Sequence, residues 1–140
     1  MPTPRKRVKI VAVTNPRKEI GLLGEGIVAG YLRRRGHKIL ARNYTKPWGE
    51  LDVVSERKGK LYVSEVKTVS KRPLEYRPEE LIHVHKVRRI FRTTMSFLLE
   101  KGINEDVAWQ LDGYVVVLRK NPEGKVIGGT LKRLPNIAGG

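Results

Sequence analysis

Within the stretch KPWGELDVVSERKGKLYVSEVKTV, Lys46 to Val69, three acids and a lysine interrupt two runs of strand-forming residues: Glu50, Asp52, Glu65 and Lys67. Lys58-Gly59 has the composition of a two-residue hairpin turn. A hairpin closed there pairs Val54 with Val63, Asp52 with Glu65, and Glu50 with Lys67. Alternation along each strand then sends all four polar side chains to one face. Two carboxylates about 5 Å apart repel by about 3 kcal/mol at an effective dielectric of roughly 20, and one lysine relieves only part of that. A divalent cation cancels the remainder, and oxygen donors of this kind suit Mg²⁺ or Mn²⁺, which keep several waters and coordinate phosphate. Such an ion polarises a phosphodiester and acidifies its bound water, while a neighbouring lysine positions the nucleophile or stabilises developing charge. The chemistry implied is hydrolysis of nucleic acid. A competing reading makes Asp52 and Glu65 solvent-facing residues of an edge hairpin, with Glu50 and Lys67 a cross-strand salt bridge. Leu61 and Val63 precede Glu65 on its face, so an apolar surface turns polar at its rim, which favours the site.

Those residues must be held by one domain, since 140 residues bury a single core but not two. Hydrophobic residues make up 39% and charged residues 31%, a globular balance. Lys plus Arg number 29 against 14 Asp plus Glu, a net charge of +15 that calls for a polyanionic partner, with nucleic acid ahead of an acidic membrane surface. Zero cysteines exclude disulfides, thiol catalysis and cysteine-ligated zinc. No apolar run approaches the roughly 18 residues of a membrane-spanning helix and no signal-peptide pattern opens the chain, so the expected location is the cytoplasm.

The spacing predicts the positioning elements. Residues 1–18 carry Arg5, Lys6, Arg7, Lys9, Arg17 and Lys18 without an acid, and form a basic extension with at most a short strand at Val8 to Val13. It reads either as a solvated tail or as a nonspecific phosphate-binding arm. From Glu19, Ile20, Leu23, Ile27 and Tyr31 fall on one helical stripe that Gly36 stops. A strand at His37 to Tyr44 precedes the TKPWG turn and the hairpin. A second helix starts near Glu79 and Glu80 and runs to about Lys101, with Leu81, Val84, Val87, Phe91, Met95 and Leu98 inward and Arg88, Arg89 and Arg92 on a basic side. WQLDGYVVVLRK and VIGGTLKRL are two last strands joined through NPEG. The expected organisation is a basic extension over 1–18, one nuclease-like domain over 19–134 and a tail over 135–140. A strand, helix and strand in succession need a crossover, so the class is α/β with a mixed sheet, in the order α-β-β-β-α-β-β.

An acid followed at variable distance by acid, any residue and Lys is the motif of the restriction-endonuclease-like superfamily, which this chain resembles through Asp52 and EVK, Glu65 to Lys67. More closely, GLLGEGIVAGYLRRRGHKILARNY followed by GELDVV and YVSEVKT is similar to the YraN-like family of predicted endonucleases, relatives of archaeal Holliday junction resolvases. The similarity spans about Gly21 to Val117. It implies a restriction-endonuclease-like core, a metal site of Glu25, Asp52 and Glu65, and Lys67 as catalytic lysine beside those two last acids. Glu50 matches the acid of the Gly-Glu-x-Asp element, Lys86 a helix-two lysine that contacts phosphate or simply faces solvent, and Asp112 a later-strand Asp that is structural. The family has Arg-Phe before that Asp, where this chain has Gln110-Leu111.

Other candidates carry less. His83 and His85 lie roughly 200° apart around a helix and read as surface residues rather than joint ligands. Trp48 either packs beneath its loop or stacks on a base. Arg33, Arg34 and Arg35, with Arg88 and Arg89, are candidate phosphate contacts. The leading expectation is a Mg²⁺- or Mn²⁺-dependent nuclease acting on DNA in preference to RNA, with branched DNA as a candidate substrate and a homodimer left open. The alternatives are a nucleic-acid-binding protein of the same fold with little turnover, and a basic adaptor that recruits proteins.

Overall fold

The computed structural model describes residues 16–70 and 84–137. Helix α1 (Pro16–Arg34) leads into strands β1 (Lys38–Lys46), β2 (Gly49–Arg57) and β3 (Lys60–Val69). Helix α2 (Val84–Lys101) and strands β4 (Trp109–Lys120) and β5 (Val126–Leu134) follow. The five strands form one sheet in the order β1-β2-β3-β4-β5. Neighbours are antiparallel except β3 and β4, which run parallel, as the α2 crossover between them requires. This is the mixed α/β arrangement and element order expected. Among the described residues no helix is long and apolar enough to cross a membrane.

Local chemistry explains the punctuation. Both helices end alike: His37 N–H donates to Leu32 O at 2.9 Å and Gly36 N–H to Arg33 O at 3.0 Å, while Ile103 and Gly102 repeat the pattern on Leu98 and Leu99. Gly36 and Gly102 supply the positive φ that this closure needs, at 88° and 68°. The β2–β3 turn has positive φ at both Lys58 and Gly59, the mirror-image turn that matches strand twist.

Each face of the sheet carries one helix and one apolar cluster. Val28, Leu32, Val53, Tyr114, Val116 and Leu118 pack on the α1 side. On the α2 side, Leu51, Val54, Leu61 and Val63 meet Ile90, Phe97 and Leu98. The expected helical stripes face inward at Ile20, Ile27 and Tyr31 in α1 and at Val87, Met95 and Leu98 in α2, with two exceptions. Leu23 is 45% exposed and Phe91 52% exposed, and the most deeply buried positions are Val28, Ala29 and Leu32 in α1 and Ile90, Thr93, Thr94, Phe97 and Leu98 in α2. Phe91 finds a partner at the rim, the Trp109 ring 5.2 Å away. Helix α1 begins before Glu19, and Asn136 and Ile137, assigned to a tail, are tied to β4 through bonds to Asp112 and to Leu111 O. The strand near Val8 to Val13 and the helix start at Glu79 to His83, with Leu81, lie outside the described residues, as do the side chains of Val84 and His85.

Candidate functional site

The acids meet where β2 and β3 part. The antiparallel ladder follows the expected register from Arg57↔Lys60 to Val53↔Ser64 and stops there, so Asp52 and Glu65 are not ladder partners, nor are Glu50 and Lys67. Beyond that point β3 continues against β4 alone, as far as Val69↔Val117. Asp52 covers the opening: its Oδ2 accepts the Val66 N–H at 2.8 Å, taking the place of a strand carbonyl. Strict alternation also fails here, since Leu51 and Val54 share the α2-side cluster while Val53 belongs to the α1 side. Across from the irregularity, Asn43 in β1 adopts φ 52°, a left-handed conformation asparagine tolerates.

Two glycines bring further acids to this opening. Gly24 sits so close to Thr68 of β3 that a Cβ would collide with the threonine side chain, which lets α1 press on the sheet one residue before Glu25. Gly49 is equally tight against Thr93 and Arg89 of α2, one residue before Glu50. As a result one carboxylate oxygen each of Glu25, Glu50 and Asp52 lie within 4.8 Å of one another. Glu65 stands on the other side of Asp52, within hydrogen-bond reach of it, and accepts an ion pair from Lys86 Nζ at 2.7 Å. Glu25, Asp52 and Glu65, the expected metal set, line one cavity, but the three carboxylates whose oxygens lie within 4.8 Å of one another are Glu25, Glu50 and Asp52, with Glu65 outside that group.

The electrostatics record the crowding. Burial, then the Asp52 charge and more weakly Glu50, push the Glu25 carboxyl up to about 7 against the pull of the Asn43 amide and Arg42. Burial followed by Asp52 also raises Glu50 and, despite Lys86, Glu65. Burial alone would lower the Lys86 ammonium; the Glu65 charge and hydrogen bond, with Asp52, outweigh it and hold it above the usual lysine value. Glu25 Oε1 is buried and has no hydrogen-bond partner among the described residues.

Cavities lie on both sides of the acids. One of about 640 Å³ is lined by Arg17, Glu25, Asp52, Glu65, Lys67 and Lys86 among others. A smaller one of about 240 Å³ is lined by Glu50, Asp52, Glu65, Lys86 and Arg89. Lys67 is exposed at the mouth of the larger cavity, on the strand that carries Glu65. Arg89 joins the acids, and Arg88 is exposed on the same helix. Arg33 and Arg34 are exposed in the last turn of α1, away from Glu25, and Arg35 lines a different cavity at the far end of the sheet. Trp48 packs: its Nε1 donates to Ser96 Oγ at 3.1 Å, and the Arg92 guanidinium lies 4.8 Å over its ring.

Sequence reasoning finds neither Asn43 nor Arg17. An asparagine in a strand gives a weak signal of positive φ, and Arg17 is indistinguishable from the basic run before it. Asp112 is where the motif places it, 1% exposed in β4 and remote from the acids, accepting Gln110 Nε2 at 2.6 Å, Arg133 Nη2 at 3.1 Å and Asn136 N–H at 2.8 Å. Gln110, which stands where the family has arginine, is thus bonded directly to it.

Residues 24–117 match the model of the uncharacterised protein family UPF0102. The chain is 42% identical over 93 residues to a UPF0102 protein of Syntrophotalea carbinolica, covering 66% of this chain and 74% of that one. It is 38% identical over 104 residues to one from Lachnoclostridium phytofermentans, with 74% and 86% covered, and 33% identical over 107 residues to one from a Synechococcus species, with 76% and 82% covered. The matched span takes in Glu25, Glu50, Asp52, Glu65, Lys67 and Lys86, and on this ground the chain belongs to the uncharacterised protein family UPF0102, the YraN-like family its motifs resemble.

Proposed function

We propose that this protein is a divalent-metal-dependent nuclease that hydrolyses phosphodiester bonds in DNA, with branched, Holliday-junction-like DNA as its candidate substrate. One observation carries the reading: three carboxylates from α1 and β2 converge within 4.8 Å, and one of their buried oxygens has no donor among the described residues. Carboxylates crowded in a partly buried place are relieved either by taking up protons or by binding a cation, and an all-oxygen donor set fits Mg²⁺ or Mn²⁺. Glu25, Glu50 and Asp52 would hold the ion, with Glu65 reaching it beside Asp52. Bound there, it supplies Lewis-acid polarisation of a phosphoryl oxygen and a more acidic water. The chain's own part is to bind and orient. Lys67 presents an ammonium at the cavity mouth, where it steadies the attacking water or the developing negative charge. Arg17, Lys86 and Arg89 line the two cavities and give the flanking phosphates positive partners. The net charge of +15 supplies the rest of the affinity without base readout.

The test is a Mg²⁺ and Mn²⁺ titration over linear, branched and single-stranded substrates, with Asp52→Ala and Lys67→Ala beside the parent. Both variants should lose cleavage by about a hundredfold or more while keeping the fold. Their DNA affinities should move in opposite directions: Asp52→Ala binds as tightly or more tightly, because a negative charge beside phosphate is gone, and Lys67→Ala slightly less. If the parent cuts nothing in the panel with either metal, or both variants cut like the parent, the nuclease reading fails and a binding protein of the same fold replaces it.

A further inference from the structure

At the end of the sheet away from the acids lies a separate cavity of about 160 Å³. Three arginines line it: Arg35 just past α1, Arg57 at the end of β2 and Arg133 in β5, together with His37, Tyr31 and Tyr62. Asp112 is the single carboxylate among its lining residues, so three guanidiniums face one negative charge. That carboxylate is already committed, accepting Arg133, Gln110 and the Asn136 N–H. Among the described residues no carboxylate lies within ion-pair distance of Arg35 or Arg57. Two cations are thus gathered at a concave place with no anion of the protein's own, where mutual repulsion would otherwise splay them apart.

The geometry around them is built. Arg35 stacks 4.9 Å over the Tyr31 ring, which fixes the guanidinium plane while leaving its N–H edge for a ligand. His37 is held twice, its Nδ1 2.9 Å from Ser55 Oγ and its ring edge against Tyr62 at 4.7 Å, which leaves Nε2 as its remaining polar atom. Burial and then the Arg57 charge lower the His37 pKa, as expected of an imidazole beside cations that lack a counterion.

We propose that this cavity is a phosphate site, taking one phosphate dianion, free or as a terminal monoester, between Arg35 and Arg57 with His37 beside it. Charge and size both point to that ligand. Three guanidiniums less the Asp112 carboxylate leave two positive charges, which a dianion neutralises. The volume is below the roughly 300 Å³ at which pockets for organic ligands begin, so the cavity admits a tetrahedral anion and a few waters of about 30 Å³ each, rather than a whole nucleotide. Paired N–H edges of arginine match the oxygens of such a group. Five residues of β2 separate Arg57 from Asp52, about 16 Å of strand, so the site is distinct from the acidic one and does not depend on its being catalytic. The dianion is either free inorganic phosphate or the terminal phosphate of a nucleic-acid strand.

Titration of the full chain with inorganic phosphate, followed by NMR of the His37 imidazole, tests this. Saturation should move the His37 signals and raise its pKa, since a neighbouring anion favours the charged ring. Arg35→Gln combined with Arg57→Gln should weaken phosphate binding by about tenfold or more, because charge-assisted hydrogen bonds are lost. Neither arginine is in an ion pair among the described residues, so the fold should persist. Oligonucleotides with a terminal 5′-phosphate or a 5′-hydroxyl then separate the sources. Preference for the phosphorylated strand, lost in the double variant, identifies a strand end; equal binding of both strands alongside saturation by inorganic phosphate identifies the free ion. His37 signals that stay unmoved through the phosphate titration, or a double variant that binds phosphate as the parent does, overturn the proposal.

Discussion

Buried acids stand at both ends of one sheet, and they are treated in opposite ways. Asp112 in β4 is 1% exposed and meets an amide, a guanidinium and a backbone N–H, so its charge is fully answered from within the chain. Glu25, Asp52 and Glu65 are 8%, 8% and 3% exposed; the Asn43 amide meets Glu25, the Val66 N–H meets Asp52 and Lys86 meets Glu65, while Glu50 presses on them from the rim. Burial is common to the two regions and therefore says little about function. What separates them is satisfaction: a charge with its hydrogen bonds made holds a fold together, whereas crowded carboxyls can shed their mutual repulsion only by taking up protons or a cation. The end with the answered acid is also the end where arginines lack a counterion, so each end of the sheet is poised for a ligand of opposite sign.

The comparison breaks most visibly through stability. Asp112→Ala should destabilise the fold by about 3 kcal/mol in urea unfolding, because it strands the Gln110 amide, the Asn136 N–H and the Arg133 guanidinium; the 41% exposure of Arg133 keeps the loss at the low end of the usual range for a broken buried pair. Cleavage per folded molecule should not change. Equal loss of cleavage in Asp112→Ala and Asp52→Ala would erase the distinction between the two ends.

Glu25→Gln should act in the opposite direction. The folded Glu25 carboxyl titrates at about 7 against an ordinary 4.5. Its contribution is therefore fully present below the unfolded value and is lost as pH rises through the folded one. In metal-free buffer the variant should match the parent near pH 4 and exceed it by about 2 kcal/mol near pH 8, read from denaturant midpoints at the two values. Mn²⁺ should reverse the ranking, because the parent alone keeps the full carboxylate set, and its Mn²⁺ affinity should climb as pH approaches 7 and Glu25 gives up its proton. A Glu25→Gln protein no more stable than the parent near pH 8 would mean that the carboxylates are not in conflict.

Much of this is legible in the sequence where the signal is local. The stretches WQLDGYVVVLRK and VIGGTLKRL coincide with β4 and β5 to the residue, and Lys58-Gly59 sets a register that holds through Val53 and Ser64. Asp52, Glu65 and Lys67 announce themselves as charges in apolar runs. The rest depends on contacts between distant parts of the chain. Strict alternation predicts Asp52 opposite Glu65, but β3 leaves β2 for β4 at that point, and no spacing within the hairpin encodes a parallel strand that arrives after α2. The inward stripes are misread at two positions, Leu23 and Phe91, because Leu23 and Val28, or Phe91 and Ile90, are equally apolar and only the sheet's position selects between them. The glycines at 24 and 49 look like flexibility and turn chemistry; they act as clearances that seat Glu25 and Glu50. Asp112 reads as structural, yet its partner Arg133 sits 21 residues on, in a strand with no feature that marks it.

The finest contrast concerns Lys86, which forms an ion pair with an acid of the cluster. Its ammonium lies 2.7 Å from Glu65 Oε1, with the lysine side chain 43% exposed and the glutamate 4%. Because the lysine end is well solvated, Lys86→Ala should cost only about 1 kcal/mol in metal-free buffer above about pH 8, where Glu65 has given up its proton, less than either change above. The sign with pH follows from the partner. Glu65 is raised by burial and Asp52, so near pH 4 it is protonated, the pair is gone and the variant should equal the parent, whereas the ammonium itself, held above its usual value, stays charged throughout. A divalent ion bound by Asp52 and Glu65 would supply the positive charge that Lys86 otherwise provides. Saturating Mn²⁺ should then close the stability gap between variant and parent, and the variant should bind Mn²⁺ several-fold more tightly for want of a competitor. Thermal unfolding with and without Mn²⁺ reads both effects. A gap that stays the same in saturating Mn²⁺ would make Lys86 a simple structural partner of Glu65, independent of any ion, and would place that acid on the same side of the comparison as Asp112.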